Sequence, residues 1–327
     1  METVLLLTAL CTLFAAVAGV GDDSVRFLVI GDWGGLPYSP FSTAIERAIA
    51  KQMAKVSSNI DSQFLLALGD NFYFDGVVNV HDPRFHETYE DVFTHDSLQT
   101  PWYLVAGNHD HRGNVTAQIL YSQVSKRWNY PDYYYTMSYP IPNSKKTVRF
   151  VMIDTILLCG VSDTHYLGEP PLGAADQSVA DKQWLWIEQQ LSHSKDDYLI
   201  VAGHYPVYSI AEHGPTDCLI KQLDPMLHKY NVSAFMSGHD HNLQHLVYTD
   251  VLYKTKMDYF VIGSANFIDN SIKHKNAVPK GSLKFHWADT STFGGFAKVL
   301  ITPHDMTLTL LRANGVELYQ KTIRPRF

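Results

Sequence analysis

The chain is expected to fold as an α/β protein with mixed β-sheets. Three features predict this: β-rich apolar runs alternate with amphipathic helical stretches from residue 25 onward, hairpin-linked strands close the chain, and no repeat or long linker divides it. Residues 25–30, VRFLVI, form an almost unbroken apolar run of strand length, as a strand buried on both faces requires. Residues 43–56 place Ile45, Ile49, Met53 and Val56 on one face of a helix. Further strands are expected at 64–68, 102–106, 148–153, 198–202, 232–236 and 259–262, with helices at 85–93, 179–191 and 218–230. The last three strands, 296–301, 307–312 and 316–323, are joined by turns containing Pro303-His304-Asp305 and Asn314-Gly315, and read as an antiparallel meander. Residues 160–181 hold no sustained periodicity and are expected to be an exposed loop, the first site of proteolysis.

Residues 1–18 join an apolar run to the small-residue ending Ala16-Val17-Ala18, the pattern of a cleaved secretory signal, which leaves residues 19–327 as one expected domain. A membrane anchor competes with that reading, but the run falls short of the roughly 20 residues a span needs, so no anchor is expected. Loss of Cys11 with the signal leaves Cys159 and Cys218, which are expected to pair in an oxidising compartment; two buried thiols are the alternative. Glycosylation sequons at Asn114 and Asn231 fit the same route. With 26 Lys+Arg against 33 Asp+Glu the chain carries −7 and shows no basic patch, which argues against nucleic-acid partners. Histidine is the unusual component, at 16 of 327 residues, and it is the commonest metal ligand.

The polar residues that matter sit at strand ends. Five apolar strands run into Gly31-Asp32-Trp33-Gly34-Gly35, Gly69-Asp70-Asn71-Phe72-Tyr73, Gly107-Asn108-His109-Asp110-His111, Gly203-His204-Tyr205-Pro206 and Gly238-His239-Asp240-His241. In an α/β sheet, residues just past the carboxyl ends of strands converge in one crevice. Singly each motif is weak, since a strand-end Asp more often closes a turn and Tyr73 would pass for core. Five together, each behind a glycine, describe one site. Asp110 and His111 are expected to orient their neighbours, His245 less so, and Trp33 is the one tryptophan placed to serve as a substrate platform.

Two carboxylates, a carboxamide, a phenol and three imidazoles are too many ligands for one tetrahedral zinc, and no thiolate takes part. They suit two ions sharing a carboxylate. Phenol and carboxylate favour a trivalent ion, Asn and His a divalent one, so the donor set predicts an asymmetric pair.

In this order the five blocks resemble the metallophosphoesterase signature, and Tyr73, three residues after Asp70, narrows the likeness to the purple acid phosphatases. The run Gly203-His204-Tyr205-Pro206 through His213-Gly214-Pro215-Thr216 resembles their small, tartrate-resistant animal branch. The resemblance implies a sandwich of two mixed β-sheets flanked by α-helices. It implies Fe(III) on Asp32, Tyr73 and His241, a divalent ion (iron before zinc) on Asn108, His204 and His239, and Asp70 as the bridge. His109 and His213 then match residues that contact the phosphate and assist the leaving group, and Cys159 and Cys218 match the family disulfide. Residues 160–181 match a protease-sensitive loop over the site, within which Asp163 matches a loop residue that restrains activity.

The implied function is a secreted or lysosomal acid phosphatase acting on phosphate monoesters such as aryl phosphates, phosphoproteins and nucleotides, with an activating protease as a partner. An acid optimum is expected, because a trivalent ion acidifies water more than zinc does and acid conditions suit a proton donor such as His213, next to Glu212. Two other functions compete. A phosphodiesterase or nucleotidase on the same scaffold is disfavoured by Tyr73, and a secreted iron-binding or redox protein would hydrolyse esters only incidentally.

Overall fold

The computed structural model describes residues 23–162, 170, 171 and 173–327; the expected signal and Asp163 lie outside them. The first strand, β1 (Val25–Ile30), is buried throughout, as its apolar run requires. Helix α1 (Ala44–Ile60) starts where Thr43 closes a reciprocal cap: its Oγ1 accepts from Glu46 N at 3.0 Å, and Glu46 accepts from Thr43 N at 3.3 Å. Strands β2 (Phe64–Ala67), β3 (Trp102–Leu104) and β4 (Trp128–Asn129) continue parallel to β1, with α2 (Val115–Tyr121) before β4. The other edge of β1 pairs antiparallel with a strand from the end of the chain, described below, so this sheet is mixed.

The second sheet begins with β5 (Tyr135–Pro140) and β6 (Thr147–Met152), followed by α3 (Thr155–Cys159), α4 (Gln177–His193), β7 (Tyr198–Ala202), α5 (Asp217–Lys229) and β8 (Ala234–Ser237). It is completed by β9 (Leu243–Thr249), β10 (Lys256–Ile262) and β11 (Leu283–Trp287), in the order β11-β9-β10-β8-β7-β6-β5. The chain then returns to the first sheet through β12 (Gly295–Ile301), β13 (Met306–Arg312) and β14 (Glu317–Ile323), the expected meander, giving β14-β13-β12-β1-β2-β3-β4.

The sheets pack through aromatic side chains. Phe27 and Phe64 of the first sheet meet Phe150 of the second at ring distances of 5.3 and 5.6 Å, and Tyr139 stacks on Phe64 at 4.6 Å. Helix α1 lays Ile49, Met53, Val56 and Ile60 into this core. On the far face of the second sheet, Trp184, Ile187 and Leu191 of α4 and Leu219, Leu223 and Leu227 of α5 cover Val151, Leu199, Val201 and Phe235. A disulfide joins Cys159, at the end of α3, to Cys218 in the first turn of α5.

Several expectations need correction. Residues 85–93 form no α-helix: Phe85–Glu90 is a wider turn, in which Asp91 N reaches back five residues to His86 O at 2.9 Å. Residues 177–181, expected in the loop, are the first turn of α4, because the Asp176 carboxylate accepts from Ser178 N at 2.8 Å and caps the helix. His245 does not serve the strand-end cluster. Its Nδ1 meets Tyr319 Oη at 2.8 Å and its Nε2 meets Asp258 at 2.7 Å, which fastens β14 of one sheet to β9 and β10 of the other. Trp33 is fully buried against Phe72, Tyr89, Phe93, Trp102 and Trp128, so it is core and no platform.

Candidate metal centre

The five signatures follow β1, β2, β3, β7 and β8. β1, β2 and β3 run parallel to one another in one sheet and β7 and β8 in the other, and the side chains that follow them meet at one edge of the sandwich. The turns that leave them are tight: Asp32, Asp70 and His239 adopt left-handed backbone with φ of 56°, 50° and 71°, a conformation that costs a branched chain roughly 1 kcal/mol or more and concentrates at functional sites. Two glycines show why a side chain is excluded. A Cβ on Gly107 would lie 2.2 Å from Asp70 Oδ1, and one on Gly238 would lie 2.4 Å from Asp32 Oδ2.

The side chains gather in two groups. In the first, Tyr73 Oη lies 3.1 Å from both Asp32 Oδ1 and His241 Nε2. In the second, His204 Nε2 lies 3.0 Å from Asn108 Oδ1 and 3.4 Å from Asp70 Oδ2. Asp70, His204 and His239 each offer a ligand atom within 4.8 Å of the others. Asp70 stands between the groups, because it also acts on Tyr73.

The donor chemistry fits a pair of cations. His204 Nδ1 lies 2.9 Å from Leu68 O and must donate to it, which leaves a lone pair on Nε2 facing two oxygen acceptors. Only a cation or a proton relieves that arrangement. Burial works against a charged imidazole, yet the Asp70 carboxylate outweighs it and pushes His204 up to about 9. Burial, with the charges of Asp32 and Asp70, holds the Tyr73 phenol well above its ordinary value. A phenol so placed yields its proton only to a highly charged ion. His239 and His241 are driven down by burial and by His213, His241 to about 3, so both present neutral imidazoles. Burial opposes ionisation of Asp70, but His204 and His109 more than compensate and hold its carboxyl below the usual range.

A cavity of about 230 Å³ opens on the cluster, lined by Asp70, Tyr73, Asn108, His239 and His241 together with His109, His213, Phe74, Arg112, Ser162 and Phe267. A larger cavity of about 580 Å³ lies against α1 and holds none of the strand-end ligands. His109 donates from Nδ1 to Phe74 O at 2.6 Å, which fixes its tautomer and leaves Nε2 as the other edge. His213 stacks on His239 with ring centres 4.1 Å apart. Its Nδ1 is buried without a hydrogen-bond partner among the described residues, and the residue lines the cavity. Glu212, adjacent to His213 in the chain, accepts from Ser271 Oγ at 2.9 Å and from Lys273 Nζ at 3.1 Å.

The supporting residues are Asp110 and His111. The Asp110 carboxylate accepts from Asn71 N at 3.0 Å, Phe72 N at 3.2 Å, Gly107 N at 2.8 Å and Gln118 Nε2 at 2.8 Å. It thereby ties the turn that carries Asp70 and Tyr73 to the turn that carries Asn108. His111 Nε2 meets Asp154 at 2.7 Å, and Asp154 in turn caps α3. Sequence reasoning missed Phe74, Arg112 and Phe267. Phe267 follows β10 by five residues, and the intervening Gly263-Ser264-Ala265-Asn266 carries no metal-ligand signature. Arg112 directly follows the third signature, where only its position could have marked it. Asn114 and Asn231 are both exposed.

Comparison with known proteins agrees with this geometry. A family model described as calcineurin-like phosphoesterase matches residues 25–243. The tartrate-resistant acid phosphatase type 5 of Oryctolagus cuniculus is 47% identical over 328 residues, covering 100% of this chain and 99% of that protein. The enzyme of the same name from Homo sapiens is 47% identical over 315 residues, covering 96% and 95%. Among solved structures, a purple acid phosphatase from yellow lupin seeds superposes with a TM-score of 0.62 at 16% identity, covering 92% of this chain and 54% of that one, which shows the shared fold. The chain therefore belongs to the calcineurin-like phosphoesterases, in their tartrate-resistant purple acid phosphatase branch, and is a phosphoric monoester hydrolase.

Proposed function

We propose that the chain is a secreted or lysosomal acid phosphatase whose strand-end residues hold Fe(III) on Asp32, Tyr73 and His241 and a divalent ion, iron or zinc, on Asn108, His204 and His239, with Asp70 shared. The observation that carries this is the convergence of lone pairs on His204 Nε2, Asn108 Oδ1 and Asp70 Oδ2 beside a buried phenol flanked by Asp32 and His241. When bound, such a pair supplies Lewis acidity toward the phosphate and toward water.

The chain's own residues do the rest. Asp110 holds the turns of Asp70 and Asn108 in register, so the ligand atoms are positioned before substrate arrives. His109 directs Nε2 toward the phosphoryl oxygens, since Nδ1 is committed to Phe74 O. His213 carries a proton on Nε2 for the departing alkoxide, a role that acid conditions favour. Phe74 and Phe267, stacked with ring centres 6.0 Å apart, form an apolar wall that limits water at the cavity. The loop that precedes α4, residues 160–176, is the site of an activating cleavage. Its described base borders the cavity through Ser162, and the Tyr205 hydroxyl accepts from Ser162 N at 3.1 Å while its ring packs on His239 at 4.5 Å. Residues 1–18 are a cleaved signal ahead of one domain, and Asn114 and Asn231 carry glycans.

The test compares His213→Ala with the unaltered protein on aryl phosphates of graded leaving-group pKa, at acid pH in the presence of tartrate. The loss should grow as the leaving group worsens. An equal loss across the series contradicts the role given to His213, and no phosphate release by the unaltered, metal-loaded protein contradicts the whole reading.

A further inference from the structure

Arg84 is buried, stands just ahead of the turn at Phe85–Glu90, and belongs to none of the five signatures. A guanidinium taken out of water is costly unless its donors are satisfied, so the groups that receive them show what the residue holds. They are backbone carbonyls. Nη1 donates to Tyr73 O and, at 3.3 Å, to Gly76 O, while Nη2 donates to Gly34 O at 2.6 Å. The guanidinium carbon lies 5.3 Å from the centre of the Phe72 ring. Burial pushes Arg84 down only to about 10, because the charges of Asp82, Asp110 and Glu46 act against it, and the side chain stays charged. Arg84 in turn opposes the rise that burial imposes on the Glu46 carboxyl at the start of α1.

The carbonyls that Arg84 grips belong to two of the candidate turns. Gly34 lies two residues beyond Asp32, and Tyr73 is itself a candidate ligand. Gly34 O also accepts from Tyr73 N at 3.0 Å, so one carbonyl receives both the backbone of Tyr73 and the guanidinium. The fork thereby closes the turn of Asp32 onto the turn of Tyr73 through their backbones, while their side chains meet at Tyr73 Oη and Asp32 Oδ1, 3.1 Å apart. No hydrogen bond of Arg84 reaches the turns of Asn108, His204 or His239 among the described residues. Asn108 and His204 are held instead through Asp110 and Leu68 O. Arg84 thus supports one of the two side-chain groups and leaves the other to different residues.

We infer that Arg84 is a positioning residue for the proposed trivalent-ion site, acting through the backbones of Gly34 and Tyr73 to hold the Asp32 carboxylate and the Tyr73 phenol together before an ion binds. This inference rests on the metal reading given above. Arg84 supplies no ligand atom and does not line the cavity. Its effect is on the geometry of two ligands, as supporting groups around a metal generally act. The role calls for arginine, because an ammonium offers no planar fork with which to grip two turns at once.

The experiment reconstitutes the unaltered protein, Arg84→Lys, Arg84→Met and a Cys159→Ser, Cys218→Ser double variant with Fe(III) and Zn(II). Iron and zinc contents, the thermal midpoint and the visible tyrosinate band during titration with the ferric chelator desferrioxamine are measured on each. The double variant lowers stability without altering Gly34, Tyr73 or Arg84, so it separates a folding defect from a displaced ligand. In Arg84→Met the chelator concentration that removes half the band should fall about 10- to 100-fold, the usual scale for a lost supporting contact at a metal site. The band itself should move, and zinc should stay at the parent's level. Arg84→Lys, which keeps the charge and loses the fork, should follow Arg84→Met; it also carries the comparison if Arg84→Met does not fold. A parent-like band and chelator midpoint in Arg84→Lys overturns the inference, as does a loss of iron and zinc alike that the double variant reproduces. Absence of any visible band in the unaltered, iron-loaded protein instead overturns the metal reading beneath it.

Discussion

Trp33 is the residue whose replacement best separates a structural role from a substrate-binding one. It follows Asp32 directly and is fully buried, with ring contacts to Phe72 at 6.2 Å, Phe93 at 5.6 Å and Trp102 at 5.8 Å. Phe72 precedes Tyr73, so the two turns that carry the candidate ligands Asp32 and Tyr73 rest on this one indole. A buried tryptophan removes about 150–250 Å² from water, and at about 25 cal/mol per Å² that is worth roughly 4–6 kcal/mol. Truncations of this kind cost about 3–5 kcal/mol once partial collapse is allowed, a large share of a typical stability of about 5–15 kcal/mol. Trp33→Ala should therefore cost about 4 kcal/mol and lower Tm by roughly 8 °C, taking the low end of the size scaling for a chain this long. Trp33→Phe should cost less than half of that, because Nε1 has no hydrogen-bond partner to lose among the described residues. Differential scanning calorimetry and steady-state kinetics on both variants decide the matter: kcat should fall with little change in KM. A raised KM with an unchanged Tm would instead place Trp33 at the substrate.

Other predictions concern the supporting structure. Burial disfavours a charged His111, but Asp154 outweighs it and holds the imidazole above its ordinary value. A raised histidine contributes stability that is complete below the unfolded value of about 6.5 and is lost as pH rises through the folded value. His111→Gln should thus cost about 2 kcal/mol at pH 5, the size of a charge-assisted hydrogen bond, and progressively less above neutrality. Equal Tm losses at pH 5 and pH 9 would contradict this. Replacing Cys159 and Cys218 by serine reopens a loop with a sequence separation of 59, for which chain entropy predicts a loss of about 4 kcal/mol. Thermal unfolding of that double variant, unchanged from the parent, would show that the bridge does not constrain the unfolded chain.

Strand-end placement makes most of the candidate site legible in the sequence. Each candidate block begins where an apolar run meets glycine and a polar residue, and both the apolar run and the glycine have local causes. What the sequence hid depends on long-range packing. Strand β9 carries Gln244 and His245 among apolar residues because their buried side chains find partners on other elements, which erases the alternation a strand normally shows. Strand β5 ends in Pro140 and is half exposed, so it reads as loop. The turn at Phe85–Glu90 has helical spacing, but Phe85 and Tyr89 are drawn into the aromatic cluster around Trp128, and the backbone widens there. Trp33 illustrates the same limit: adjacency to Asp32 places it near the site in sequence, whereas the side chain points into the core. Arg112 and Phe267 reach the cavity only because the fold brings their turns together.

The central claim is an asymmetric metal pair with a tyrosine on the trivalent ion. Its most direct test is metal analysis of the protein as isolated, combined with its visible spectrum and that of Tyr73→Phe. Two metal ions per chain are expected, at least one of them iron, with a visible tyrosinate-to-Fe(III) band that disappears in Tyr73→Phe while iron remains bound. A colourless protein containing two divalent ions, or a band that survives Tyr73→Phe, would contradict it.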